Sequence, residues 1–262
     1  MENNMAPNVS FVGAGPGAAD LITVRGARLL READVVIFAG SLVDLQLVKQ
    51  YATTAEVHDS AGMTLTEVIT VMMDAIAAAK KVVRLHTGDP AIYGAIQEQM
   101  EALDRLGVEY QVVPGVTSAF AAAATLKQEL TLPEVSQTVI FTRVEGRTPV
   151  PERERLDRLA ASGATMVIYL SVGMIENVVE QLLEGAYTPE TPVAVVCRAS
   201  WEDELIVEGT LADIGARVRE AGIDRQALIV VGDVLAARRG GLKSRSLLYD
   251  ADFSHGFRGI VV

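Results

Sequence analysis

Residues 82–100 read VVRLHTGDPAIYGAIQEQM, and this stretch decides how the first half of the chain folds. The apolar run VVRLHTG (82–88) predicts a strand, a Gly-Asp-Pro turn interrupts it, and IYGAIQEQMEALDRLG (92–107) leaves with helical spacing. A strand passing at once into a helix predicts a crossover to a parallel neighbour. Such a connection needs only a helix cap. Asp89 can supply one for a helix starting near Ala91, at about 1 kcal/mol of stabilisation. A cap does not explain the proline beside that acid, nor the nearby Tyr93.

The same alternation continues on both sides. Strands are expected at 9–15, 34–40 and 109–115, and helices at 21–33, 63–81 and 117–127. Thr64 followed by Glu67 has the spacing of a capping box. Strands separated by helices predict an open parallel sheet. Pro133 breaks the pattern and a new apolar run begins at Thr138, which sets a boundary at 132–137. An N-terminal domain (8–133), a C-terminal domain (137–236) and an irregular tail (237–262) follow. The second half repeats the theme, with strands expected at 138–143, 164–171, 191–200, 205–211 and 227–235, and EDELIVEGTLADIGARVREAG as an edge hairpin strand followed by a helix. The expected fold class is α/β, with two domains that each have their own sheet.

Half of the 262 residues are hydrophobic and the formal net charge is −11. That charge argues against broad contact with a phosphate backbone, so no nucleic-acid partner is expected. Basic groups cluster only locally, in TRVEGRTPVPERERLDR and ARRGGLKSRS. No apolar run reaches the roughly 18 residues of a membrane span, and MENNMAPNVS does not read as a signal peptide. A membrane partner is therefore not expected either. Cys197 is the one cysteine. It permits no intrachain disulfide or zinc-holding thiol cluster, and reads as a small buried apolar residue. The expected compartment is the cytoplasm.

FVGAGPGAAD (11–20) carries Gly13, Gly15 and Ala18 at G-x-G-x-x-A spacing after a strand, as in dinucleotide folds. Two features oppose that reading. The next strand ends in Ala39-Gly40 with no acid for a ribose hydroxyl, and Pro16 removes an N–H from the loop that would cradle a pyrophosphate. There is no phosphate-binding G-x-x-x-x-G-K-[ST] and no G-x-S-x-G nucleophile turn. His86 and Asp89 lie three apart across a strand end and turn, without a further ligand nearby, so no metal site is expected. If the chain is an enzyme, its chemistry belongs to a bound reagent.

VGAGPG, GDPAIYG, VVPGVTSAFAAAA, IYLSVG and CRAS, in this order, resemble the tetrapyrrole (corrin and siroheme) methylase superfamily, whose members use S-adenosylmethionine. FAGSLV, SAGMTLTEV, RLHTGDPAIYGAIQEQM, LTLPEVSQTVIFTRVEGRTPVPE, TPVAVVCRASWEDE and LYDADFSHGFR extend the likeness across residues 9–258, toward those members that methylate the corrin precursor at C11. The resemblance implies two α/β domains with the cofactor in the cleft between them. It also implies transfer of a methyl group to C11 of precorrin-4 or its cobalt form, in cobalamin biosynthesis, by a homodimer.

The resemblance further assigns the cofactor to Pro16, Gly88, Asp89, Pro90, Tyr93, Thr117, Ser118, Leu170, Ala199 and Ala227. The implied substrate carries many carboxylates, which raises Arg143 and Arg147 as carboxylate forks. Ser41 and Met63 are candidates for the same trough, with core filling the plain alternative for Met63. Asp89, His86 and Glu145 are candidates for a general base, with no choice among them. Three other readings stay open: a superfamily methylase acting at another ring carbon, one acting on protein or RNA, and a non-catalytic cofactor-binding module.

Overall fold

A computed structural model describes residues 7–40, 42–237, 246–249 and 253–254. Ser41 and most of the tail from 238 onward lie outside the described residues. The chain forms two compact units, one of 1–121 with Arg198–Asp203, the other of Ala122–Cys197 with 204–262.

The first unit holds strands β1 (Val9–Gly13), β2 (Val35–Phe38), β3 (Glu56–Asp59), β4 (Val82–His86) and β5 (Tyr110–Val113). They form one sheet in the order β3-β2-β4-β1-β5, with every pairing parallel. Parallel strands need crossovers, and helices α1 (Val24–Arg31), α2 (Leu45–Tyr51), α3 (Leu65–Ala77) and α4 (Gln97–Arg105) supply them. β1, β2 and β4 are buried along their whole length; β2 is wholly apolar, whereas β1 buries Ser10 and β4 buries Arg84 and His86 among their apolar residues. Val12, Val36, Val83 and Leu85 pack on one side with Leu30 and Val48. Val9, Phe11, Ile37 and Val82 pack on the other with Met72 and Leu103. The capping box at Thr64 and Glu67 forms as its spacing predicts.

Two local expectations fail here. β3 and α2 were not anticipated, because EVHD is an edge strand with mostly exposed side chains and no apolar alternation. The helix expected from residue 92 begins only at Gln97. Tyr93 and Ala95 have φ of 55° and 49°, a left-handed backbone that cannot continue a right-handed helix.

Helix α5 (Ser118–Leu126) leads to β6 (Val139–Arg143), β7 (Thr165–Tyr169), β8 (Pro192–Cys197), β9 (Leu205–Thr210) and β10 (Ala227–Val231). Their order is β6-β7-β10-β8-β9. β6 and β7 run parallel, but β7–β10, β10–β8 and β8–β9 are antiparallel. The second half therefore does not repeat the parallel theme. The connection from Cys197 to Leu205 is too short for a crossover helix, so β8 and β9 form a hairpin, and β9 is the edge strand expected before helix α8 (Ile214–Glu220). Helices α6 (Leu156–Ala160) and α7 (Ile175–Leu183) contribute Leu156, Val178 and Leu182 to this unit's core.

Candidate functional site

In the first sheet, β4 and β5 flank β1, and all three end on the same side. The chain leaves β1 toward β2 and leaves β4 toward β5, in opposite directions along the sheet. Open parallel sheets bind ligands at such a switch point, beyond the carboxyl ends of the strands.

β1 ends at Gly13, and Gly88 and Gly115 stand two residues beyond the ends of β4 and β5. A Cβ on Gly13 would stand 2.6 Å from the Gly115 backbone and from the Gly88 carbonyl. One on Gly115 would stand 2.1 Å from the Gly88 oxygen. Nothing larger than hydrogen fits where these turns meet. Gly15 and Gly88 exchange backbone hydrogen bonds, with N···O distances of 3.2 and 2.8 Å.

Asp89 secures this junction. One carboxylate oxygen accepts from the Ala91 N–H at 2.8 Å, the other from the Gly115 N–H at 2.9 Å. It does not cap α4, which begins eight residues later. It ties the turn after β4 to the turn after β5. Pro90 is buried behind it, while Tyr93 is 46% exposed on its left-handed backbone.

The first glycine loop is committed elsewhere than to phosphate. Ala14 N–H donates to the His86 carbonyl at 2.7 Å, Gly15 N–H to Gly88, and Ala18 N–H to Ser200 Oγ at 3.1 Å. Pro16 has no donor, and its carbonyl accepts from the Trp201 indole at 2.9 Å. Trp201 lies so close to Gly17 that a Cβ there would come within 2.2 Å of its ring. This explains the glycines and rejects the dinucleotide reading. Ser200 and Trp201, on the β8–β9 connection, were not anticipated as loop supports; no short-range pattern joins them to residues 16–18.

Thr117 is buried and Ser118 half-buried where α5 begins beyond Gly115. Ala199 is buried in the first unit. In the second unit, Leu170 follows β7, and the antiparallel register carries it toward Ala227, the first residue of β10. Leu170 is 66% exposed with φ of 54°. Positive φ at non-glycine residues recurs at or beside the proposed cofactor positions, at Tyr93, Leu170, Arg198, Ser200 and Gln226. Such backbone is uncommon and concentrates at functional sites.

The remaining candidates are placed less simply. Arg143 donates to the carbonyls of Val144 (3.3 Å), Thr148 (3.1 Å) and Pro149 (2.7 Å), so it braces its own loop. Arg147 is exposed, and so is Glu145, which accepts from Val150 N–H at 3.4 Å. Met63 is half-buried against the Phe11–Met72 core, as its plain reading expects. His86 is buried beside the Phe11 ring, and its Nε2 has no hydrogen-bond partner. Burial, with the Arg84 guanidinium second, pushes the imidazole down to about 3, which leaves a weak base. Among the described residues no group of three or more His, Cys, Asp or Glu side chains could hold a metal ion.

The edge thus offers backbone groups, glycines and small hydroxyl side chains to a compact ligand, with turns fixed before it arrives. Those residue types fit a small bent molecule with amide-like and amino-acid groups.

A family model described as Tetrapyrrole (Corrin/Porphyrin) Methylases matches residues 8–215. A cobalt-precorrin-4 C(11)-methyltransferase of Methanocaldococcus jannaschii is 54% identical over 258 residues, which is 98% of this chain and 98% of that one. The X-ray structure of a cobalamin biosynthetic enzyme, cobalt precorrin-4 methyltransferase, superposes with a TM-score of 0.85 at 49% identity, covering 87% of this chain and 95% of that one. A uroporphyrin-III C-methyltransferase of Thermus thermophilus, solved with S-adenosylhomocysteine, gives 0.71 at 28% identity, over 88% of this chain and 99% of that one.

Proposed function

The chain belongs to the tetrapyrrole (corrin/porphyrin) methylases, and on that premise we propose that it methylates C11 of precorrin-4 or its cobalt form, with S-adenosylmethionine as donor, in cobalamin biosynthesis. The observation that carries this reading is a likeness of 54% identity running over 98% of both chains. When bound, S-adenosylmethionine supplies a methyl group on a positively charged sulfur.

The protein's own part is to hold, align and keep dry. Gly88, Thr117 and Ser118 present backbone and small polar groups at the switch point, and Asp89 fixes the turns that carry them. Pro16 and Ala199 line the same loop region, and Pro90 and Tyr93 follow the turn. Leu170 and Ala227 keep the cofactor role the resemblance gives them, supported by the positive φ at Leu170 and Gln226. Alignment of an electron-rich ring carbon and exclusion of water supply most of the rate. Asp89 is engaged by two amides, His86 is a weak base and Glu145 is exposed, so we assign a general base to none of them.

Arg147 offers an exposed fork for a substrate carboxylate, and Arg143 shapes the loop that carries it; Met63 packs against the core instead. The protein works as a cytoplasmic homodimer, a reading supported by the family and by the single cysteine. Among the described residues no helix is long and apolar enough to cross a membrane. The test is incubation of the purified chain with S-adenosylmethionine and each form of precorrin-4, followed by the product's mass. Gain of one methyl is expected; no gain with either form overturns the reading.

A further inference from the structure

Arg84, the third residue of β4, is 8% exposed, and no acid pairs with it among the described residues. Its Nε donates to Gln99 Oε1 at 3.1 Å and one terminal nitrogen donates to Ser60 Oγ at 2.9 Å. Both partners are neutral, and the backbone holds both. Gln99 Nε2 donates to the Ala95 carbonyl at 2.9 Å, and Ser60 Oγ to the Phe38 carbonyl at 3.0 Å. A guanidinium has five N–H groups and these bonds use two.

A buried cation with only neutral partners is costly, because its desolvation is not balanced by an opposite charge. The chain has 34 acidic residues against 23 lysines and arginines, so acids were available. Yet the acids flanking this cluster in sequence face elsewhere. Asp59, beside Ser60, accepts from the Gly40 and Ala61 amides at 2.9 Å each. Asp89 accepts from Ala91 and Gly115. His86, two residues along the same face of β4, adds a buried Nε2 without a partner. Burial without a counter-charge also lowers the Arg84 pKa to about 10.

The cluster lies near the carboxyl ends of β2, β3 and β4, on the ligand-binding edge of the sheet. Its cover includes Ala95, in the irregular segment before α4 where Tyr93 and Ala95 take left-handed backbone.

We infer that Arg84, its fork ordered by Ser60 and Gln99 and flanked by His86, receives one carboxylate of the tetrapyrrole substrate. The inference rests on the proposed function and adds a recognition residue to it. An arriving carboxylate would take the remaining N–H groups of the fork and supply the missing counter-charge.

The test is equilibrium binding of cobalt-precorrin-4 to the full chain, followed by its visible absorption, for wild type and Arg84→Met. Calorimetry with S-adenosylmethionine and thermal melting run in parallel. Arg84→Met is expected to weaken tetrapyrrole binding at least tenfold and to leave cofactor affinity within twofold. Its melting temperature should not fall, since an apolar chain replaces an unpaired buried charge. A lower melting temperature with unchanged tetrapyrrole affinity would make Arg84 a purely structural cation and overturn the inference. If Arg84→Met does not fold, Ser60→Ala decides, because it keeps the charge and loosens the fork. A loss of threefold or more is expected, and unchanged affinity overturns the inference. Failure of the wild type to bind the tetrapyrrole would instead overturn the proposed function, and this inference with it.

Discussion

Gly115 shows how little room the junction leaves. A methyl group there would sit 2.1 Å from a carbonyl oxygen and 2.8 Å from the Gly13 Cα, both backbone atoms that no rotamer change can move. Gly115→Ala should cost at least about 2 kcal/mol in urea unfolding, as overpacking against fixed atoms does. An unchanged midpoint would mean that the turns separate easily. The three glycines are visible in the sequence, but their meeting is not, because only the parallel register brings the strand ends together. His86 gives a different prediction. Its pKa falls from an ordinary 6.5 to about 3 on folding, through burial first and Arg84 second. The unfolded chain takes up this proton near pH 6.5 and the folded chain refuses it until about pH 3. The stabilisation is therefore complete above 6.5 and drains away by roughly 1.4 kcal/mol per pH unit below it. Between pH 7 and pH 5 the wild type should lose about 2 kcal/mol more than His86→Gln. Equal losses would contradict the burial of a neutral imidazole.

Helix α3 displays what local sequence can specify. Thr64 and Glu67 satisfy each other's backbone donors as their spacing predicts, and no distant residue is required. Thr64→Ala should lower stability by about 1 kcal/mol and leave methyl transfer unchanged, as measured by unfolding and by initial rate. A large loss of rate would place this helix start in the site. Elements shaped by distant contacts were harder to read. The left-handed residues 93 and 95 delay α4, although IYGAIQEQM has helical spacing from its first residue. β3 carries too few apolar side chains to stand out, and only pairing with β2 makes it a strand. The mixed second sheet was hidden because apolar strand runs do not encode direction. The short hairpin connection after Cys197 was the clue to it.

The whole molecule consists of two compact units, each with a five-stranded sheet. The two sheets were legible from the alternation of apolar runs, whereas the units divide at Ala121 and Ala122 and the first also takes Arg198–Asp203, which no local pattern near Pro133 signals. The chemistry was not legible from charge or spacing, which argued against dinucleotide and phosphate sites without naming a reagent; the ordered series of motifs was needed for that. The family model covers residues 8–215, so it spans the first sheet and strands β6 to β9 of the second, up to the start of α8. The most direct measurement is methyl transfer from 13C-methyl-labelled S-adenosylmethionine to precorrin-4 and to cobalt-precorrin-4, with the labelled carbon located by NMR. Label at C11 in either form is the expected result. Label at another ring carbon, or none in either form, would contradict the assignment.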